Sequence, residues 1–147
     1  MKKYKEIEIG VVGVDSGQIV VCDPAYIDSE WVNEDLSPTP SIIQFPDGKT
    51  EKVISCSPRW FELIDRINNN ELKVIKDMGF EKAKSNFSYP ACVEQTLKKD
   101  YGQLNFKHGH AGVGVVTSSG FGDGCYPVIA KIDIKENRVK EIKIIFF

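Results

Sequence analysis

The only two histidines of the chain, His108 and His110, stand two residues apart in a glycine-containing segment. Residues two apart in an extended strand point to the same side, so both imidazoles could contact one ligand. Two histidines do not complete a zinc site, which needs at least a third protein ligand. We therefore predict ligand binding rather than metal binding, expect no cofactor, and keep a polar strand edge as the simpler alternative.

A second candidate is the segment Ser118–Gly124, which has glycine at alternate positions, Gly120, Gly122 and Gly124. Glycine permits positive φ and close approach of a ligand, and successive N–H groups in such a loop can bind an anion. Asp123 would either accept hydrogen bonds from loop N–H groups or face a hydroxyl or ammonium group of the ligand. No Lys-Ser/Thr follows, so this is not a P-loop, and a long hairpin turn is the alternative.

Three further polar residues lie where strands are expected to begin or end. Asp15 precedes the apolar segment Gln18–Cys22, and Tyr126 follows the glycine-rich segment. We expect Asp15, Gln18 and Tyr126 to contact polar groups of the same ligand. The alternative for Asp15 is a structural role, because aspartate is a common turn residue.

Cys92 or a water is the candidate nucleophile of a hydrolase, with His108 or His110 as the base. Asp15 or Asp123 would orient that base. The alternative is a packed thiol, because free cysteine behaves as a small hydrophobic residue. Without an export signal or a C-x-x-C pair, we expect reduced thiols at Cys22, Cys56, Cys92 and Cys125.

The composition predicts one compact cytoplasmic domain spanning residues 1–147. Hydrophobic residues make up 41% of the chain and charged residues 27%, which is typical of a globular protein. A net charge of −2 argues against a surface built to bind nucleic acid. No stretch approaches the roughly 20 apolar residues of a membrane span, so we expect no membrane partner.

Alternating apolar residues predict a mainly β fold, an antiparallel sandwich or partly open barrel of about seven or eight strands. The first two strands are expected to form a hairpin that turns at Asp15–Gly17. The second of them, Gln18–Cys22, is apolar almost throughout, which predicts a central strand buried on both faces. Short strands are also expected at Ser41–Phe45 and Glu51–Ser55, around a Pro-Asp-Gly turn.

Residues 111–147 are expected to form an antiparallel meander. Its first connection is the glycine-rich segment and its second is Lys135–Asn137. A bulge near Lys140-Glu141 would restore the phase of the apolar residues in the last strand. The chain ends in Ile144-Ile145-Phe146-Phe147, apolar on both faces, so we expect this end to be buried in the core or in a homo-oligomer.

One helix is predicted at Ser57–Asn68, packed on one side of the sheets. Ser57 is a good N-cap residue, and Pro58 fits the first helical position because its missing N–H costs nothing there. Within this helix, spacings of three and four residues predict one apolar stripe facing the core. The stripe consists of Trp60, Leu63, Ile64 and Ile67. A weaker helical turn is expected separately at residues 77–86.

Several segments together resemble a family of small, uncharacterised bacterial and phage proteins. The resemblance implies a bacterial or phage origin and no particular activity. It covers residues 9–31 and 87–147, so the stretch 32–86, which contains the helix, is expected to be a variable insertion in the single domain. The matching motifs are Val14–Gln18 (VDSGQ), Cys22–Tyr26 (CDPxY), Phe87–Tyr89 (FSY), Gly102–Leu104 (GQL), Gly109–Gly112 (GHAG) and Ser119–Val128 (SGFGDGxYPV).

Three functions remain open from the sequence. The first is a binding module for a small polar or anionic ligand, with nucleotides among the candidates. The second is a cysteine/histidine hydrolase. The third is a protein-interaction module without a pocket. Whether the protein is an enzyme therefore stays open at this point.

Overall fold

The computed structural model describes residues 3–147 of the chain. Within these residues the mainly β fold is confirmed, with eleven antiparallel strands and three helices. The strands form four sheets and no closed barrel in this part of the chain. Eleven strands are more than the seven or eight that the sequence predicted. No helix in the described range is long and apolar enough to cross a membrane.

The elements are numbered in chain order. The helices are α1 (Ala25–Ser29), α2 (Pro58–Asn68) and α3 (Tyr89–Lys99). The strands are β1 (Tyr4–Val14), β2 (Gln18–Cys22), β3 (Pro38–Thr39), β4 (Ser41–Gln44), β5 (Thr50–Val53), β6 (Lys73–Lys76), β7 (Gly79–Phe80), β8 (Tyr101–Asn105), β9 (Ala111–Ser118), β10 (Gly124–Asp133) and β11 (Arg138–Ile144).

Contacts within the chain group these elements into two compact units. The first unit runs up to Val32 and includes Ser85–Phe87 and Ala91–Phe147. The second unit consists of Asn33–Lys84 and Ser88–Pro90. Most of the second unit falls in the stretch 32–86, for which a variable insertion in a single domain stays a prediction.

The first unit contains two three-stranded sheets. Sheet I has the strand order β1-β10-β11, and sheet II has the order β2-β9-β8. Val14 of β1 pairs with Gly124, and Gln18 of β2 pairs with Ser118, so β1–β2 and β9–β10 together form one long antiparallel ribbon. This ribbon passes from sheet I to sheet II where residues 15–17 lie opposite residues 119–123. We name that place the corner.

Three expectations about the first two strands and the meander are wrong because of the corner. β1 and β2 do not form a hairpin, because each pairs with a different part of the same partner ribbon. The meander is wrong at its first connection for the same reason, since β9 and β10 lie in different sheets. β2 is not a central strand but lies at the edge of sheet II, where Val21 is 55% exposed. A short apolar run does not by itself distinguish a buried strand from a half-exposed one.

The second connection of the meander and the bulge are confirmed. β10 and β11 form a hairpin, and Asp133 Oδ1 accepts hydrogen bonds from the backbone N–H groups of Lys135 (2.9 Å) and Glu136 (3.0 Å) in its turn. These bonds, first of all the one from Glu136, lower the pKa of the Asp133 carboxyl. The register between β10 and β11 shifts at Lys140, which is the extra residue of the bulge.

Helix α3 has no counterpart among the predicted elements. Pro90 lies in its first turn, a position where proline is favoured. The helix packs closely on sheet II, because a Cβ added to Gly102 of β8 would lie 2.5 Å from Gln95 Cβ. Thr96 Oγ1 also donates to Gln18 Oε1 at 3.1 Å. One face of sheet II is therefore covered by α3.

The second unit contains the predicted helix. Ser57 caps α2, because its Oγ accepts a hydrogen bond from the backbone N–H of Trp60 at 3.2 Å. Leu63 is 2% exposed, and Trp60 and Ile67 pack against the cluster that contains it. Three members of the predicted apolar stripe, Trp60, Leu63 and Ile67, thus face the core of this unit, and Ile64 is half-buried. The buried members of the cluster are Ile43, Val53, Leu63 and Leu72.

The strands of the second unit form two small sheets. One has the order β5-β4-β6, and in the other β3 pairs with β7. The hairpin predicted around the Pro-Asp-Gly turn is confirmed as β4 and β5. The helical turn predicted at residues 77–86 is wrong, because Gly79–Phe80 are extended and pair with Pro38–Thr39.

Candidate functional site

The corner brings together two segments that are predicted to bind a ligand. The backbone N–H of Ser119 donates to the Gly17 carbonyl oxygen at 2.9 Å. The backbone N–H of Gly17 donates to Asp123 Oδ1 at 2.9 Å. Of the two roles predicted for Asp123, this oxygen therefore has the structural one, in which it accepts a hydrogen bond from the backbone. Gly120 has φ +67°, and a Cβ there would lie 3.1 Å from Phe146 Cβ. Glycine is therefore needed at position 120 by the corner itself.

Other predicted ligand contacts are also engaged in internal hydrogen bonds. Tyr126 is 3% exposed, and its Oη donates to the Gly122 carbonyl oxygen at 2.8 Å. Ser119 Oγ donates to the same oxygen at 2.5 Å. Gln18 Oε1 accepts the hydrogen bond from Thr96 on α3. These groups hold the ribbon, the loop and the helix together, and much of their hydrogen-bonding capacity is used within the chain.

The remaining predicted ligand residues lie at two distant places. Asp15 and Gly124 are exposed at the corner. His108 and His110 precede β9, whereas the corner follows it, and β9 has eight residues. A strand of that length spans about 25 Å. The structure therefore places the histidines and the corner at opposite ends of sheet II and does not bring them into one site.

The histidine segment is the loop of the β8–β9 hairpin, and both imidazoles are exposed. His110 stacks on Phe106 with ring centroids 4.5 Å apart, and Phe106 meets Tyr26 edge-on at 5.0 Å. The backbone N–H of Phe106 donates to the His110 carbonyl oxygen at 2.9 Å. Among residues 3–147, no group of three or more His, Cys, Asp or Glu side chains is placed to hold a metal ion.

Cys92 is packed in the core of the first unit. Its side chain is 1% exposed, and burial raises the pKa of its thiol to about 11. A nucleophilic cysteine needs a thiolate at neutral pH, which an apolar environment disfavours. Its surroundings therefore favour the alternative of a packed thiol. All four cysteines are free thiols.

A small charged cleft in the second unit has no counterpart in the sequence analysis. Its volume is about 250 Å³, and Pro90 and Ser37 complete its lining beside the charged groups. Glu34 is held in place there, because it accepts hydrogen bonds from Ser88 Oγ and from the backbone N–H of Lys84 at 3.0 Å. The charged lining residues are Glu34, Asp35, Glu81, Lys82 and Lys84.

Sheet I carries apolar side chains on both faces. On the inner face, Val12, Tyr126 and Ile144 pack with Val14 and Ile19 in a cluster at the corner. An antiparallel sheet with one face on a core usually presents polar side chains on the other face. Sheet I departs from that pattern at the end nearest the corner.

The opposite side of sheet I is its outer face. Val11 pairs with Pro127, and the backbone N–H of Ile145 donates to the Pro127 carbonyl oxygen at 3.3 Å. These three side chains therefore form one apolar row across the sheet. Val11 is 65% exposed and Ile145 is 45% exposed.

Two neighbouring rows extend the outer face. Toward the corner, Cys125 is exposed two residues before Pro127 on the middle strand. Away from the corner, Ile129 lies between Glu8 on β1 and Lys143 on β11. We define the outer face by these residues together with the first row, namely Glu8, Val11, Cys125, Pro127, Ile129, Lys143 and Ile145.

Beyond these rows the same side of the sheet becomes charged. Lys131 Nζ lies 3.2 Å from Glu141 Oε2, and Lys143 Nζ lies 3.1 Å from Glu6 Oε1. A sequence signal for the apolar part was present, because β1 and the end of the chain both carry apolar residues at odd and even positions.

Asp123→Ala should lower the free energy of unfolding by about 0.5–1.5 kcal/mol, because the Gly17 N–H loses its acceptor. Asp15→Ala removes an exposed carboxylate from the same corner and should leave the stability unchanged. Urea unfolding of both variants measures the difference. Equal stability of the Asp123→Ala variant and the parent would remove the structural role of this carboxylate and favour its predicted role in ligand binding.

Comparison with known proteins gives one match. No curated protein and no solved structure is significantly similar to the chain. A family model described as "Protein of unknown function (DUF4241)" matches residues 2–143. The expectation of an uncharacterised family is thereby confirmed, while the individual motifs and a bacterial or phage origin stay predictions. Because the match covers nearly the whole sequence, the chain belongs to the DUF4241 family of proteins of unknown function.

Proposed function

We propose that this protein is a protein-interaction module, that its docking surface is the outer face of sheet I, and that a second copy of the chain occupies this face. The observation that carries the proposal is the apolar row of Val11, Pro127 and Ile145, in which Val11 and Ile145 are exposed and Pro127 is half-buried. Exposed apolar surface is costly in water, at about 25 cal/mol per Å², and contiguous patches of it commonly mark interaction sites.

The corner supports this choice over a small-ligand site. Asp123 and Tyr126 make hydrogen bonds to the backbone of the corner, and the two histidines lie at the far end of β9. Binding of a polar or anionic ligand by these residues stays a prediction. The buried Cys92 thiol gives the hydrolase no support.

A second copy is the occupant because it presents the same apolar row, and an isologous two-fold interface uses one surface patch on both subunits. Glu8 lies at the β1 edge of the face, and Lys143 lies in the same row on β11. The Lys143 ammonium is paired within the chain with Glu6 at 3.1 Å and Glu141 at 3.3 Å, so the rim of the face is charged and its cation is already neutralised. An apolar centre with a charged rim is the usual anatomy of a protein interface.

The size of the face predicts a weak dimer. Three strands about 4.8 Å apart, with five residues from Cys125 to Ile129 rising about 3.4 Å each, give a face roughly 14 Å wide and 17 Å long. This is well below the roughly 800 Å² per partner that a specific interface usually buries. We therefore expect a weak dimer that forms in a concentration-dependent manner.

Val11→Asp should weaken the dimer by about 30-fold or more, because a charge at the centre of an apolar interface costs at least about 2 kcal/mol. Sedimentation velocity at a series of protein concentrations measures the monomer–dimer equilibrium. Val115→Asp is the matched control, because it places the same charge on an exposed valine of β9 in sheet II.

Two results would contradict the proposal. A monomer at every concentration would show that copies of the chain do not associate. A dimer weakened by Val115→Asp and unaffected by Val11→Asp would place the contact on sheet II instead.

A further inference from the structure

Helix α3 runs antiparallel to β8, the strand that follows it. The helix ends at Lys99 and the strand begins at Tyr101, so the chain reverses its direction at Asp100, whose φ is +64°. Gln95 lies five residues before this reversal and Gly102 two residues after it, so each is about 7 Å from it. The contact between Gln95 and Gly102 agrees with this geometry.

The same geometry places Cys92 over one row of sheet II. Cys92 lies eight residues before Asp100, which is about 12 Å along a helix. Leu104 lies four residues after Asp100, which is about 14 Å along a strand. Leu104 pairs with Gly114 of β9, and Gly114 pairs with Cys22 of β2. Cys92 therefore lies at the level of the row that Cys22 ends.

Cys22 points to the side of sheet II that α3 covers. Gln18, at the start of β2, faces the helix, because its Oε1 accepts the hydrogen bond from Thr96 of α3. Cys22 follows four residues later on the same strand, and the pairing of β2 with β9 has no register shift between them. Residues an even number apart on a strand point to the same side, so Cys22 also faces α3.

Gly114 contributes no side chain between the two thiols. A Cβ at this position would lie 3.2 Å from Cys22 Cβ and 3.0 Å from the Val21 carbonyl oxygen. Burial raises the pKa of the Cys92 thiol to about 11, and the neighbouring Cys22 thiol is a further cause of the rise. Such an effect requires two ionisable groups to be close together, which agrees with the placement from the backbone.

We infer that Cys22 and Cys92 are a redox-sensitive dithiol pair, which closes to a disulfide between β2 and α3 when the protein reacts with hydrogen peroxide. A disulfide needs a Cα separation of about 4.4–6.8 Å. The close approach of α3 to Gly102 favours so short a distance between the helix and the sheet. The inference is independent of the proposed dimer, because both cysteines belong to sheet II and α3 and not to sheet I.

The two thiols have different roles in the reaction. Cys22 is half-buried, so peroxide reaches it first. Its thiolate sulfur attacks one peroxide oxygen, the O–O bond breaks, and Cys22 becomes a sulfenic acid while the departing hydroxide takes up a proton to form water. The Cys92 sulfur then attacks the Cys22 sulfur, and the hydroxyl group leaves with the Cys92 proton as a second water. The two sulfurs lose two electrons, which the peroxide gains.

The environment of Cys92 suits the second step. Its side chain is 1% exposed, so it is shielded from peroxide in solution. Its raised pKa keeps it as a thiol, which reacts poorly with peroxide. A sulfenic acid held beside it in the same unit is a different partner, because two groups fixed next to each other react as if at very high concentration.

The disulfide would connect an edge strand to a helix far away in sequence. β2 lies at the edge of sheet II, and the loop of chain between Cys22 and Cys92 contains the whole stretch Asn33–Lys84. A cross-link that closes a long loop restricts the unfolded chain. We therefore expect the oxidised protein to unfold at a higher urea concentration than the reduced protein.

Peroxide treatment of the full-length chain tests the pair. Cys56→Ser together with Cys125→Ser removes the two exposed thiols and provides the background. After a small molar excess of hydrogen peroxide, we expect the intact mass to fall by two hydrogen atoms and to return on reduction with dithiothreitol. Digestion without reduction should give one peptide pair that joins Cys22 to Cys92.

Cys92→Ala in the same background is the matched control. It leaves Cys22 without its partner, so peroxide should produce a sulfenic acid at Cys22 that dimedone traps, with no loss of two hydrogens. Two results would overturn the inference. One is a background protein that keeps both thiols or accumulates sulfinic acid at Cys22. The other is trapping of Cys22 by dimedone to the same extent with and without Cys92, since a resolving thiol must compete with the reagent.

Discussion

Replacing Phe87 by alanine should lower the free energy of unfolding by about 3–5 kcal/mol, the usual cost of deleting a buried phenylalanine. Phe87 is 2% exposed and is the largest fully buried side chain in residues 3–147. Its ring meets Trp31 edge-on at 5.0 Å, and its carbonyl oxygen accepts a hydrogen bond from the Val32 N–H at 2.9 Å. Truncation leaves a cavity beside Trp31, so the loss should be visible in the fluorescence of this residue.

Phe121→Ala is the matched control, because Phe121 is 89% exposed in the corner loop. The same truncation there should leave the unfolding curve unchanged. Guanidinium unfolding in a Trp60→Phe background makes Trp31 the only tryptophan and follows the first unit alone. Identical curves for Phe87→Ala and its parent would contradict the assignment of this side chain to the core.

The second large effect is expected in the other unit. Leu63→Ala should cost about 2–5 kcal/mol, because it removes the buried centre of the apolar stripe of α2. Leu63 is 2% exposed and shares its cluster with Ile43, Val53 and Leu72. Trp60 packs against this cluster, so its fluorescence in a Trp31→Phe background follows the second unit.

Phe61→Ala provides the comparison on the same helix. Phe61 is two residues before Leu63 and is 61% exposed, so its truncation should change the stability little. A loss for Phe61→Ala as large as that for Leu63→Ala would mean that the helix buries a different face.

The parts of the fold that the sequence predicts well depend on nearby residues. Ser57, Pro58 and the stripe that ends at Ile67 lie within three turns of helix, and they identify α2 with its cap. The turn after Asp133 and the bulge at Lys140 are also local, because β10 and β11 are adjacent in sequence. Short-range signals of this kind act through hydrogen bonds and side-chain spacing that the sequence itself displays.

The partners of β1 and β2 could not be predicted in this way. Alternation shows that a segment is a strand, but it does not say which strand pairs with it. Asp15–Gly17 has turn residues, and a hairpin is the nearest solution for such a turn. The actual partner begins near Gly124, more than a hundred residues away, so the same turn residues serve a corner between two sheets.

The candidate site was predicted in part. The glycine-rich segment does adopt positive φ and does approach another segment closely, but that segment is the turn at Gly17 and not a ligand. The sequence left two roles open for Asp123, and it could not show that the donor is the N–H of Gly17, a residue distant in sequence. The separation of His110 from the glycine-rich loop could have been predicted, however. A strand was expected between them, and an extended strand keeps its two ends far apart.

The long ribbon has a consequence for the order in which the chain folds. Gly17 and Asp123, which meet at the corner, are 106 residues apart in sequence. During synthesis β1 and β2 emerge from the ribosome early, and they remain unpaired until the last third of the chain has been made. The β4–β5 hairpin closes across a short turn and can form in the meantime. The amino-terminal strands, apolar on both faces and unpaired at their edges, are therefore the part of the nascent chain that most needs protection from aggregation.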